Sequence, residues 1–334
     1  MNSLLIRFGQ RGNLSTLLRV TLLIALALVA SIMAPGFLSI QNLLNLLRSF
    51  SFLGFLGLGM TFVIISGGID LSVASIFALS GVLLGIFQHW GIYLGHVDKL
   101  SLLAPTPVLF LIILGIGTLI GCVNGIVITK LHVADFAATL GSMIFVRGLA
   151  FSISGGRTIF NLDEVALYMG RGMIGPVPFV AIMFVLAVLV CFVALRYTSF
   201  GKRLYAVGEN PVAAGLSGIK QVDYKITAYA ISGFFAAFAG ICMAGRLNVG
   251  EPRVAEGWEL DAIAAVVIGG TSFAGGNGGV VKTVIGVMII GLIRNILSLL
   301  GILPDPQEMI MGIVLLFSVV FGSLGTRKGS LSKS

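Results

Sequence analysis

One carboxylate, Asp70, stands in the apolar stretch VIISGGIDLSVAS (Val63–Ser75), with Gly67 and Gly68 before it and Ser72 after it. Ionisable groups in membrane-type sequence are costly and point first to function. Two chemistries suit an acid there. It can bind a proton or Na⁺ at a broken helix, or it can accept the orphan N–H groups of the next helix's first turn, where the dipole favours negative charge. Three other polar residues interrupt apolar runs: Asn124, Arg147 and Asn295. Asn124 suits an interhelical hydrogen bond or a solute contact. Arg147 suits a structural pair or a lining position, and its length lets it reach an interface. Asn295, beside Arg294, suits pore lining or interface anchoring. These four are the candidates for a pathway or gate.

Catalytic and metal-binding sets are not found. His89, His96 and His132 share no ligand spacing with one another or with Cys122, Cys191 and Cys242. The cysteines sit in apolar runs, are odd in number and read as small buried hydrophobes. There is no G-x-S-x-G and no H-E-x-x-H. GNGGVVKT (Gly276–Thr283) is the nearest string to a phosphate-cradling loop, but Val281 stands where glycine must precede Lys-Thr. No cofactor is expected on this chain, and any ATP would be bound by another subunit. A sugar site usually needs several hydrogen-bonding groups and an aromatic face. Nothing so dense stands out along the chain, which predicts a low-affinity conduit.

The elements that must position these residues are membrane helices. Of 334 residues, 57% are hydrophobic and 10% charged, against about 25% charged in soluble domains. The mean hydropathy is +1.08. The apolar runs are too long for the roughly 10-residue strands of a barrel. At about 20 residues per crossing, ten segments are expected: 18–34, 43–66, 72–88, 107–129, 136–154, 176–195, 225–245, 259–275, 280–300 and 307–324. The segments at 43–66 and 259–275 are broken by glycine. The class is therefore an all-α polytopic membrane protein, one membrane domain over 1–334 that includes an inner loop at 196–224.

With both termini cytoplasmic, the basic residues sort as the positive-inside rule requires. Arg7, Arg11, Arg19, Lys130, Arg196, Lys202, Arg203, Lys220, Lys225, Lys282, Arg327, Lys328 and Lys333 fall inside. Only Lys99, Arg157, Arg171, Arg246 and Arg253 fall outside. The net charge of +8 then serves orientation in the bilayer, not nucleic-acid binding. Gly117, Gly121 and Gly125 form a small-residue stripe, as do Gly81 and Gly85, where bare backbone lets helices approach closely.

The inner loop reads RYTSFGKRLYAVGENPVAAGLSGIKQVDYK (Arg196–Lys225). Within it, NPVAAGLSG predicts a short helix with Asn210 as N-cap and Pro211 at its first position. Its small residues leave a flat surface suited to docking in another protein's groove.

GKRLYAVGENPVAAGLSGI resembles the cytoplasmic coupling loop of bacterial ABC importer permeases of the ribose-type monosaccharide family. GMTFVIISGGIDLSVAS (Gly59–Ser75) and ELDAIAAVVIGGTSFAGGNGG (Glu259–Gly279) resemble that family's segments, and PGFLSIQNLLNLLR (Pro35–Arg48) and FAATLGSMIFVRG (Phe136–Gly148) also fit. The likeness runs in order along nearly the whole chain. One departure is Ala74, where the family usually has glycine. The resemblance implies a channel-forming subunit of about ten helices in the inner membrane, paired with a second, identical or paralogous permease. Two cytoplasmic ABC ATPases holding ATP-Mg would power it, and a periplasmic sugar-binding protein would deliver the solute. Glu209, Asn210, Pro211, Ala213, Ala214, Gly215 and Gly218 would form the coupling helix to the ATPase. The alternatives are a secondary transporter using Asp70, or an ABC permease for a branched-chain amino acid, nucleoside or signalling molecule.

Overall fold

Helix N-caps and glycine stops mark most of the turning points of this chain. The computed structural model describes residues 2–93 and 105–316, with side chains at 16–89 and 105–316. Lys99 and the end of the tenth expected segment, 317–324, lie outside the described residues. The order is α1 (Asn2–Met33), α2 (Ile40–Ile65), α3 (Val73–Tyr93), α4 (Thr106–Lys130), α5 (Asp135–Ser154), β1 (Ile159–Phe160), α6 (Glu164–Arg171), β2 (Met173–Ile174), β3 (Val177–Pro178), α7 (Phe179–Tyr197), α8 (Ser199–Glu209), α9 (Pro211–Leu216), α10 (Gln221–Leu247), β4 (Val249–Gly250), α11 (Trp258–Gly269) and α12 (Val280–Leu299). Residues 304–316 are also helical.

Seven of these helices are long and apolar enough to cross a membrane among the described residues, and α3 contributes a shorter apolar stretch, Val73–His89. The expected segment 259–275 is helical over only part of its length. α11 stops after 12 residues, about 18 Å of rise against a hydrocarbon core of about 30 Å. Gly270, at φ +105°, ends it with its N–H turned back to Val267. The inner loop also differs from expectation: most of it is helix, because Thr198 caps α8 by accepting from Gly201 N–H.

α2 and α10 run through the middle of the bundle, and their buried residues include Phe52, Phe55, Met60, Tyr229 and Cys242. Phe55 meets Phe184 and Phe238 edge-on. α1, α4, α5 and α7 turn large apolar side chains outward, among them Leu28, Leu119, Phe145 and Val190, as helices facing lipid do. The Gly117–Gly121–Gly125 stripe of α4 lies on α10. A Cβ at Gly121 would collide with the Tyr229 carbonyl, and one at Gly125 would sit 2.7 Å from Ile226 Cα. Ala74 is fully buried.

Two ends of the bundle emerge. At one, β1 pairs antiparallel with β4, joining 159–160 to 249–250. At the other, Gly276 N–H donates to Ile65 C=O at 2.9 Å. Each end gathers loops that an alternating in–out path through the segments places on one side. The end holding β1 and β4 is called outer below, and the end holding Ile65 and Gly276 inner.

Candidate functional site

At the inner end, α2 stops and α3 starts around Asp70, which is fully buried. Its Oδ1 accepts from Ser72 N–H at 3.0 Å and from the Ser72 hydroxyl at 2.6 Å. Its Oδ2 accepts from the Ser232 hydroxyl of α10 at 2.7 Å. Asn124 of α4 donates its amide N–H to Ser72 Oγ at 2.9 Å. The carboxylate therefore closes a turn onto the residue before α3 rather than capping the N–H groups of the first turn. It also pins that junction to α4 and α10. Beside it, Tyr229 donates to Ile69 C=O at 3.1 Å, and Lys225 pairs with Asp135 at 3.5 Å.

α8 sits directly on this junction and carries α9 beyond it. A Cβ on Gly208 would collide with Ile65 C=O and lie 2.7 Å from Gly276 N, so backbone meets backbone at the contact. Tyr205 donates to Gly278 C=O at 3.1 Å, and burial raises its phenol above the ordinary range, which keeps it a donor. The N-cap expected of the Asn-Pro pair is present: Asn210 Oδ1 accepts from Ala213 N–H at 3.0 Å. On α9, Ala214 faces the protein while Pro211, Ala213 and Gly215 are exposed, with Val212 at 73% and Leu216 at 87%. Glu209 is exposed at the end of α8, and Gly218 makes the turn beyond α9 with φ +78°.

Arg147 and Asn295 belong to the outer end. Arg147 donates to Pro252 C=O at 2.7 Å and Val254 C=O at 3.0 Å, so it braces an outer loop. Asn295 exchanges amide hydrogen bonds with Asn42 of α2, at 2.8 and 3.2 Å. The four pathway candidates thus fall into an inner pair, Asp70 with Asn124, and two separate outer positions.

Asn295 lines a cavity of about 430 Å³ walled also by Asn42, Asn45, Ser49, Arg246, Trp258, Asp261, Arg294 and Gln307. Arg294 contacts Asp261 at 2.6 Å and Glu308 at 3.1 Å. Arg246 places its guanidinium 5.4 Å from the centre of the Phe52 ring. This cluster is one that the linear order of the chain does not display. Hydrogen-bonding groups and an aromatic ring do gather, but from α2, α10, α11, α12 and the helix at 304–316. Asp261, one turn into an apolar segment, was the available signal. A second cavity of about 470 Å³, beside Phe62, Val190 and Phe234, is apolar. Its two threonines, Thr118 and Thr227, already donate to their own helices.

The family model described as branched-chain amino acid transport system / permease component matches residues 42–319. The chain belongs to this permease family. Its relatives include Ribose import permease protein RbsC of Bacillus subtilis (strain 168), 44% identical over 302 residues, covering 89% of each chain. Ribose import permease protein RbsC of Escherichia coli (strain K12) is 37% identical, over 90% of this chain and 91% of that one. Galactose/methyl galactoside import permease protein MglC of the same strain is 34% identical, over 91% and 93%. As a member of the family, the chain is a multi-pass membrane permease, a transport component and not an enzyme.

Proposed function

We propose that this chain forms the translocation path for a monosaccharide in an ATP-driven importer of the inner membrane. The observation that carries the reading is identity of 44% over 89% of the chain to a permease named for ribose import. Permeases named for galactose match over a similar span. A periplasmic binding protein delivers the sugar to the outer end. ATP-Mg is bound by a cytoplasmic ABC ATPase at the inner end, and a second permease subunit completes the path. Both termini are cytoplasmic.

The exposed α9 supports coupling to the ATPase. It offers Val212 and Leu216 to a partner, while Gly208 presses the preceding helix against the end of α2. A push on α9 therefore reaches the α2–α3 junction through backbone, with no flexible side chain between. Charge reversal by Glu209→Lys weakens coupling of ATP hydrolysis to uptake with membrane insertion intact; unchanged ATP-driven uptake removes that role.

A second reading, import of a branched-chain amino acid, follows from the description of the family model. Proteoliposomes decide between them. With the ATPase and binding protein present, labelled ribose or galactose accumulates on ATP addition and labelled leucine does not. Gradient-driven uptake by this chain alone overturns the ATP-driven reading.

A further inference from the structure

We infer that the outer cavity is a weak docking site for a neutral polyhydroxylated ring, with Trp258 as its platform and Arg246 as its principal free donor. This deepens the transport reading and rests on it. The volume, about 430 Å³, lies in the range of small-molecule sites. The charges at the cavity are close to balanced: Arg246, Arg294 and Asp261 line it, and Glu308, outside the lining, pairs with Arg294 at 3.1 Å. A ligand bearing net charge would upset that balance, whereas hydroxyl groups, which donate and accept, match both signs.

The groups are also incompletely used by the protein. Arg294 Nε is buried without a hydrogen-bond partner. Arg246 has an aromatic ring beneath its guanidinium but no carboxylate within ion-pair distance among the described residues. The Asn42–Asn295 amide exchange fixes both side chains and leaves Asn295 a second N–H to offer. Trp258 is held by Phe77 at 5.7 Å between ring centres and stays only partly buried. An aromatic face beside hydrogen-bonding groups gives a sugar ring one apolar and one polar wall.

The chain has two tryptophans, Trp90 and Trp258, so Trp90→Phe leaves Trp258 as the sole indole reporter. The full-length variant, in lipid nanodiscs, is titrated with D-ribose, D-galactose and L-leucine, after its ATP-driven sugar uptake has been compared with that of the unmodified chain. The expected result is a saturable change in emission with either sugar at millimolar concentration and none with leucine. Arg246→Gln shifts the midpoint upward by about tenfold, as loss of a charge-assisted hydrogen bond requires. Arg246→Lys, which keeps a donor, shifts it less and guards against a folding defect in the first variant. No saturable change with either sugar up to about 100 mM overturns the inference, as does a midpoint that Arg246→Gln leaves in place. Uptake separates the two levels. ATP-driven sugar uptake without a Trp258 response overturns the docking site alone, whereas ATP-driven leucine uptake without sugar uptake overturns the transport reading as well.

Discussion

The inner and outer ends of this permease are built from different materials. At the inner end, bare backbone touches bare backbone. Gly208 lies against Ile65 and Gly276, and the fully buried acid, Asp70, is consumed by Ser72 and Ser232. At the outer end, long side chains span a hollow, and Arg294 bridges two carboxylates across three helices. Backbone contacts have no rotamers to absorb a displacement, so the inner end is suited to passing movement on. Side chains around a cavity can reorient, so the outer end is suited to meeting a solute. The contrast predicts that inner substitutions are felt first as lost stability or assembly, and outer ones first as lost transport.

The largest effect is expected at Gly208→Val. The added carbons collide with a carbonyl that cannot rotate away, which puts the cost at or above the roughly 3 kcal/mol typical of severe overpacking. The measurement is the melting temperature of the detergent-purified chain, and a melting temperature equal to that of the unmodified chain breaks the comparison. Next comes Asp70→Leu, which strands buried donors on Ser72 and Ser232 at about 1–3 kcal/mol each. Asp70→Asn keeps an acceptor toward Ser72 and lets the Ser232 hydroxyl accept instead, so its loss of stability is smaller, about 1 kcal/mol. Equal loss of transport in both, with stability preserved in the Asn variant, would assign the work to the charge itself.

Asp261→Asn at the outer end sharpens the contrast. Arg294 retains Glu308, so destabilisation stays below the about 3–5 kcal/mol of a fully broken buried pair, while sugar transported per ATP falls severalfold in proteoliposomes. A drop in melting temperature matching that of Asp70→Leu would erase the distinction between the ends. Asn210→Ala removes the α9 cap at about 1 kcal/mol, read as weaker ATPase binding with the bundle's melting unchanged. Lys225→Ala breaks a partly exposed pair with Asp135 and is expected to cost less than about 1 kcal/mol.

Local features were the ones legible in the sequence. Apolar run length located the long helices, and the Asn210–Pro211 pair announced both a cap and the start of α9. The glycines at 117, 121 and 125, spaced four apart, marked the face of α4 that closes on α10. Even so, the helix within 259–275 is shorter than its apolar run, because apolar composition continues past Gly269 and Gly270 although the backbone turns there. The outer cavity was illegible for a different reason. Asn42 and Asn295 are 253 positions apart in the chain, and although Asn295 stands out in its apolar run, nothing links it to Asn42 until the fold sets one amide against the other. Asp70 was conspicuous, but its partner Ser232 was not, since a serine in an apolar helix gives no sign of what it faces.

The small ladder between β1 and β4 has a consequence for association. It is reinforced by Thr158 donating to Glu251, by Asn248 Oδ1 accepting from Leu162 N–H at 3.0 Å, and by the Arg147 contacts to Pro252 and Val254. Gln88 and Asp163 add a second tie, with bonds at 2.9 and 3.1 Å. These segments are thus ordered before any partner arrives. A protein landing on them forfeits little conformational entropy on this side of the contact. Its affinity is then governed by surface match, and the rate of encounter by charge, more than by folding of the receiving loops.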